Sequence, residues 1–209
     1  MKFLIAIALI MGLTCCDEPK AGTGSFGHSD SSKDTCDNPD APMSCSFRGM
    51  PPQLTSIMEI ADAQEYGEKL IISGRIMVPD STPLPGVILY AYHTAPNGLY
   101  TKDGTETGAQ KWHGRLHGWC KTDSNGEYRI ITIKPGPYPD SSLPAHIHMA
   151  VKKPDGSQPV WISDFVFEGD PLINEQYLMN IQELAGGTGI VKLTMIDGIL
   201  KGNRDILLQ

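Results

Sequence analysis

The stretch Pro144-Ala145-His146-Ile147-His148 places two imidazoles two residues apart. In a β-strand alternate side chains face the same way, so His146 and His148 share one face with Ile147 on the other. Two imidazoles at that separation can grip one metal ion. A further donor stands just upstream, where Tyr138 lies between Pro137 and Pro139. Both prolines restrict the backbone, and a stiff loop can hold a phenol ready for two imidazoles. A free phenol ionises at about pH 10, so tyrosine becomes a ligand only beside a strongly acidic, hard cation. Zinc sites are built from thiolate, imidazole and carboxylate. Imidazole with anionic oxygen fits iron, and phenolate favours the ferric state. These residues point to a Tyr/His iron site.

Short strands must carry these groups. Lys69 to Val78, Val87 to His93, Glu127 to Ile133, His146 to Lys152 and Val160 to Phe167 are rich in β-branched and aromatic residues. Turns separate them, at 80–86 and at Asp123-Ser124-Asn125-Gly126. Gly189 to Met195 and Asp205 to Leu208 are expected to close the sheet around the turn Asp197-Gly198. Asn174 to Leu184 has a weak helical pattern, ended by Gly186-Gly187. Gly 22 and Pro 16 suit many tight turns rather than a helical bundle. The expected fold is all-β, an antiparallel β-sandwich with long loops and little helix. His113 and His117 stand four apart, but Gly114 and Gly118 argue against a helix, so they are expected at a pocket edge or on the surface. Trp112 and Trp119 are expected to serve packing. His28 and His93 carry no signal.

Lys+Arg 17 against Asp+Glu 24 give a formal charge of −7, without a basic run, which argues against nucleic acid as a partner. Hydrophobic content of 40% excludes wholesale disorder. Met1-Lys2 precedes an apolar run from Phe3 to Leu13, too short to span a bilayer and suited to a secretory signal. The segment resembles a bacterial lipoprotein signal, in which Leu stands three residues before a lipid-modified Cys. Leu13 has that relation to Cys16, although Cys15 occupies a place where a small residue is usual. The resemblance implies a signal peptide over 1–16 and lipidation at Cys16. The mature chain would then be exported and anchored to a bacterial membrane, on its periplasmic or cell-surface side. Residues 17–50 read as a flexible Gly/Ser-rich tether, and 51–209 as the folded domain. In an exported protein a disulfide between Cys36 and Cys45 is expected. The sequence leaves other pairings open, and Cys120 has no obvious partner.

The segment from Gly74 to Ile173 resembles the intradiol ring-cleavage dioxygenases, the protocatechuate- and catechol-cleaving non-haem iron enzymes. The likeness rests on Gly86 to Tyr90, on Asn97-Gly98-Leu99-Tyr100, and on His117 to Tyr128 (HGWCKTDSNGEY). It continues through Thr132 to Pro139 (TIKPGPYP), Pro144 to His148 (PAHIH) and Phe167 to Leu172 (FEGDPL), in family order. The resemblance implies Fe(3+) held by Tyr100, Tyr138, His146 and His148. Tyr138 and His146 would be axial, with Tyr100 and His148 in the equatorial plane. Tyr100 enters on the resemblance alone. The implied substrates are a catechol-type small molecule and O2. Tyr138 would serve as a catalytic base, and the ring would open between its hydroxyl-bearing carbons to a cis,cis-muconate-type diacid.

The match breaks at two places. Family members carry an Arg immediately before PAHIH that steadies charge on the substrate ring, and here Leu143 stands there. The Gln or Asn that supports this Arg matches Asp164. An electrostatic stabiliser of this kind is worth roughly two powers of ten in rate. Three accounts follow: another cation, Arg115 or Arg129, reaches the same place; the substrate differs, with Leu143 lining a more apolar pocket; or catechols bind without rapid turnover. Leu143, Asp164 and Arg115 are thus the expected substrate-pocket residues. The helical N-terminal segment of catechol-type members is also missing, so their oligomeric state does not transfer. The rival to the enzyme is a non-catalytic, surface-anchored β-sandwich binding module.

Overall fold

The structure, a computed structural model, describes residues 34–140, 143–181 and 184–209. The expected signal over 1–16, the lipidation site Cys16 and the tether as far as residue 33 lie outside the described residues. Eleven strands and little helix make up the rest. One sheet runs in the order β1 (Ile57–Glu59), β5 (Glu127–Ile133), β2 (Lys69–Met77), β10 (Ile199–Asn203) and β9 (Leu193–Ile196), with β11 (Ile206–Leu207) also on β2. The other runs β4 (His117–Lys121), β3 (Ile88–His93), β6 (His146–Lys152), β7 (Val160–Phe167) and β8 (Ile190–Val191).

Period-two burial makes these a sandwich. Leu70, Ile72 and Ile76 of β2 meet Leu89, Ile147 and Met149 of the other sheet in one continuous core, all fully buried. The opposite face of β3 and β6 carries Tyr90, Tyr92, His146 and His148, so the chemistry-bearing groups stand on the outside of one sheet. The long ladders are antiparallel, as expected. The sheets are nevertheless mixed: β1–β5, β2–β10, β2–β11 and β7–β8 pair in parallel. These strands reach their partners by long crossovers, which parallel pairing requires.

Composition did not mark β1, β4 or β10. β4 contains Gly118 and two polar residues, yet pairs along its whole length with β3. The turn at Asp197-Gly198 does form a hairpin, between β9 and β10, with φ of 52° and 77° at its two residues. Helix α1 (Gln110–His113) is a single turn ended by Gly114, and helix α2 (Glu175–Asn180) is shorter than the expected 174–184, with Asn174 Oδ1 accepting the Tyr177 N–H at 2.9 Å as its cap. Residues 182 and 183 of that stretch are outside the described residues.

The domain also begins earlier than residue 51. From Asp34 the chain is folded: Cys36 and Cys45 form a disulfide, and both are buried. A 3-10 helix, Met43–Phe47, follows. The Phe47 ring lies 6.2 Å from that of Tyr90, and Trp119 Nε1 donates to the Ser46 carbonyl at 2.9 Å. A disulfide and one buried aromatic are enough to hold a segment whose composition reads as linker. Cys120 is free and buried in the core.

Candidate metal centre

His146 and His148 project from the outer face of β6 while Ile147 is fully buried on the inner face. Tyr100 comes from the loop after β3, and Tyr138 from the loop after β5. These two loops touch through glycine. A side chain on Gly98 would lie 2.0 Å from the Pro137 carbonyl oxygen, and one on Gly136 would lie 2.2 Å from that of Pro96. Only backbone without Cβ allows this approach. Tyr138 then sits with its hydroxyl 2.5 Å from that of Tyr100. His148 Nε2 is 3.1 Å from each phenol oxygen and 3.1 Å from His146 Nε2.

Hydrogen bonding fixes the tautomers. His146 Nδ1 is 2.8 Å from the Pro144 carbonyl, which can only accept, so Nδ1 carries the proton. His148 Nδ1 lies 3.2 Å from the Asp164 carboxylate and donates to it. Both Nε2 atoms therefore present lone pairs to one another. Burial, then the neighbouring His148, lowers the pKa of His146 and keeps it neutral. Burial likewise raises the pKa of Tyr100 and of Tyr138. Four donor atoms, two imidazole nitrogens and two phenol oxygens, thus converge. Two ligands each about 2.1 Å from a shared ion, at right angles, lie about 3 Å apart. The spacing fits one metal ion, and a cation is what makes facing lone pairs and buried phenolates favourable.

Asp164 reaches His148 through a bulge. Ile147 pairs with Phe165 but Met149 pairs with Ile162, so Ser163 and Asp164 together oppose His148. Asp164, His146 and His148 also group with donor atoms within 4.8 Å. The carboxylate addresses His148 from the Nδ1 side, away from the phenols.

An aromatic layer supports the imidazoles. Tyr92 pairs directly with His148 across β3 and β6. Its ring is stacked between His148, 4.5 Å away, and His113, 3.8 Å away. His113 Nδ1 in turn meets the Tyr90 hydroxyl at 2.7 Å, and burial pulls its pKa down to about 4. His113 is thus a half-buried brace behind the site. His117 is half-buried, its Nδ1 donating to the Gly114 carbonyl at 2.7 Å. Trp119 packs on Tyr90 as expected, at 5.2 Å, whereas Trp112 is 44% exposed. His93 is wholly buried between the Thr94 carbonyl and the Thr132 hydroxyl, at 2.7 and 2.6 Å. Tyr92 was not singled out from the sequence, although it lies one strand over from the HxH pair.

A cavity of about 750 Å3 opens beside His148, and both Leu143 and Asp164 line it. Arg115 does not. Its guanidinium forks onto Glu65 at 2.7 and 2.8 Å and lines a separate cleft. Arg129 lies on β5, beside yet another cleft. Neither cation is among the described residues that line the cavity beside His148, and Arg115 is held by a carboxylate fifty residues away in sequence.

A family model described as Dioxygenase matches residues 46–195. The chain is 28% identical over 140 residues to a chlorocatechol 1,2-dioxygenase of Pseudomonas putida, covering 59% of this chain and 51% of that protein. It is 28% identical over 120 residues to the protocatechuate 3,4-dioxygenase beta chain of Burkholderia cepacia, covering 54% and 51%. The chain thus spans about half the length of these relatives. Among solved structures, the dioxygenase domain of a dioxygenase carbohydrate-binding protein fusion from Streptomyces sp. SirexAA-E matches with a TM-score of 0.57 and 21% identity. That match covers 77% of this chain and 92% of the other. The P. putida chlorocatechol 1,2-dioxygenase structure gives 0.54 at 24% identity, covering 77% and 67%. The structural matches establish the fold.

Proposed function

The chain belongs to the intradiol ring-cleavage dioxygenase family, and we propose that it is an iron(III) enzyme opening a catecholic ring with O2. The carbon–carbon bond between the hydroxyl-bearing carbons breaks, both atoms of O2 enter the product, and a cis,cis-muconate-type diacid results. The observation that carries this reading is the convergence of Tyr100, Tyr138, His146 and His148, with neighbouring donor atoms 2.5–3.1 Å apart. These four side chains would hold the iron. When bound, ferric iron supplies the Lewis acidity that lets a catechol give up both protons, and a centre at which the electron-rich ring meets dioxygen.

The chain's own groups do the rest. Tyr138 Oη, in contact with Tyr100 Oη and His148 Nε2, takes one catechol proton as substrate arrives. The Pro144 carbonyl and the Asp164 carboxylate hold the two imidazoles in the tautomer that offers Nε2. Tyr92 fixes the plane of the His148 ring by stacking. Leu143 and Trp161 give the cavity apolar surface against which the catechol ring can pack. A lipid anchor at Cys16 would put this chemistry at a bacterial membrane surface, in a compartment that suits the Cys36–Cys45 disulfide.

The test is direct. Iron-loaded protein should bind about one iron per chain, show a visible phenolate-to-iron charge-transfer band, consume oxygen with catechol and yield a diacid by mass. Colourless protein that stays inactive after iron loading overturns the proposal. Catechol binding without oxygen consumption would favour the non-catalytic binding module.

A further inference from the structure

Of the four candidate ligands, His148 lines the cavity beside it, whereas Tyr100, Tyr138 and His146 do not. The cavity's volume, about 750 Å3, lies in the range that receives drug-sized ligands, well beyond a bare benzenediol. Tyr92, Leu143 and Trp161 give one part of the lining aromatic and apolar surface. The wall contributed by α2 and its flanks adds the amides of Gln176 and Asn180 and the hydroxyl of Tyr177. Such groups satisfy neutral hydroxyls and ethers without requiring a charge.

Among the described residues that line this cavity there is no Lys or Arg, and the one carboxylate is that of Asp164. Two described cations, Arg115 and Arg204, are committed elsewhere. Arg115 forks onto Glu65, and Arg204 donates to the carbonyls of Ser163 and Gly186 at 2.8 and 3.0 Å. A ring carboxylate would therefore enter without a partner and beside a like charge. Both effects are penalties that a neutral substituent escapes.

Resting on the dioxygenase reading above, we infer that the site is shaped for a catechol bearing a large, uncharged, hydroxyl-bearing aromatic arm, and that it selects against a carboxylate on the ring. The catechol ring lies by His148 and Leu143, and the arm runs along Trp161 and α2. Aromatic arms gain from Trp161 and Tyr177, and their hydroxyls from Gln176 and Asn180.

The experiment uses the full iron-loaded chain with three probes: catechin, catechol and protocatechuate. Oxygen uptake gives kcat/KM, and anaerobic titration of the charge-transfer band gives binding without turnover. Catechin should exceed protocatechuate by about tenfold or more, and should exceed catechol. Asn180→Trp, which fills the arm's place from an exposed helical position, should lower the catechin-to-catechol ratio by about tenfold. Gln176→Trp, also exposed, repeats the test should the first variant fold poorly. Catechol or protocatechuate turned over best, or a ratio unmoved by both variants, overturns this inference and leaves the oxygenase standing. Absence of turnover and of any band shift with all three probes overturns the dioxygenase reading, and this inference with it.

Discussion

Asp164→Ala is the perturbation that most directly tests how the imidazoles are held. Both carboxylate oxygens of Asp164 lie 3.2 Å from His148 Nδ1, and the side chain is 35% exposed. Removing it leaves the Nδ1 proton to water and frees the ring to turn. Partners of metal-bound imidazoles typically account for about 10- to 100-fold in metal affinity. Two features place this one at the lower end. Water already reaches the carboxylate, and the His148 ring stays stacked on Tyr92 at 4.5 Å. The expected loss is about tenfold in iron affinity, or about 1.4 kcal/mol. Asp164→Asn keeps an oxygen that accepts the proton and should lose only about threefold. Chelator competition, followed through the charge-transfer band, reads both. Superimposable curves for Asp164→Ala and the parent protein would refute the reasoning. An Asn variant as weak as the Ala variant would show that the charge, or direct ligation, matters more than orientation.

Further outcomes follow from other parts of the molecule. Reducing the Cys36–Cys45 disulfide, or replacing both residues by Ser, should lower unfolding free energy by about 2–3 kcal/mol for so short a loop, read by urea denaturation. Burial holds the His93 imidazole at about 4, below its ordinary 6.5. The unfolded chain then binds a proton that the folded chain refuses, so stability falls as pH drops from about 6.5 to 4, by about 3 kcal/mol from this group. His93→Gln should flatten that slope by about 1.4 kcal/mol per pH unit, and an unchanged slope would assign the titration elsewhere. Leu143→Arg combined with Asp164→Gln should raise kcat/KM for protocatechuate by about tenfold or more over the parent. Globomycin should cause unprocessed precursor to accumulate if Cys16 is lipidated; no effect would remove the lipoprotein reading.

Much of the fold was legible because strand burial alternates so regularly. Glu127–Ile133, His146–Lys152 and Val160–Phe167 run as strands at the expected bounds. The HxH pair was legible for the same reason, since alternation alone puts both imidazoles on one face. Tyr138 announced itself by its flanking prolines. Tyr100 had no such mark. Its position depends on two loops closing at Gly98 and Gly136, contacts about forty residues apart that no local pattern reports. Arg115 was misplaced because a charge looks available until its partner is known, and Glu65 is remote in sequence. The tether was drawn too long because Cys36, Cys45 and Phe47 are sparse apolar groups in a polar stretch, and their burial is tertiary.

Asp164 shows most clearly where local reasoning stops. Read as a regular strand, Val160–Phe167 alternates faces without interruption, and the register of β6 would repeat residue for residue. The observed pairing skips one position, so that Ile162 and Phe165 both enter the core although they are an odd number apart. That parity change requires a bulge, and the bulge falls opposite His148. It gives the carboxylate a place beside the His148 imidazole while the strand on either side remains packed. Asp164 thus bears on two properties together. It supplies an acceptor to His148, and it lines the cavity in which, on the reading proposed above, a ring carboxylate would meet a like charge. On the proposed reading, metal support and substrate selection are coupled through this side chain, so an Asp164 variant that admits carboxylated catechols should also loosen His148.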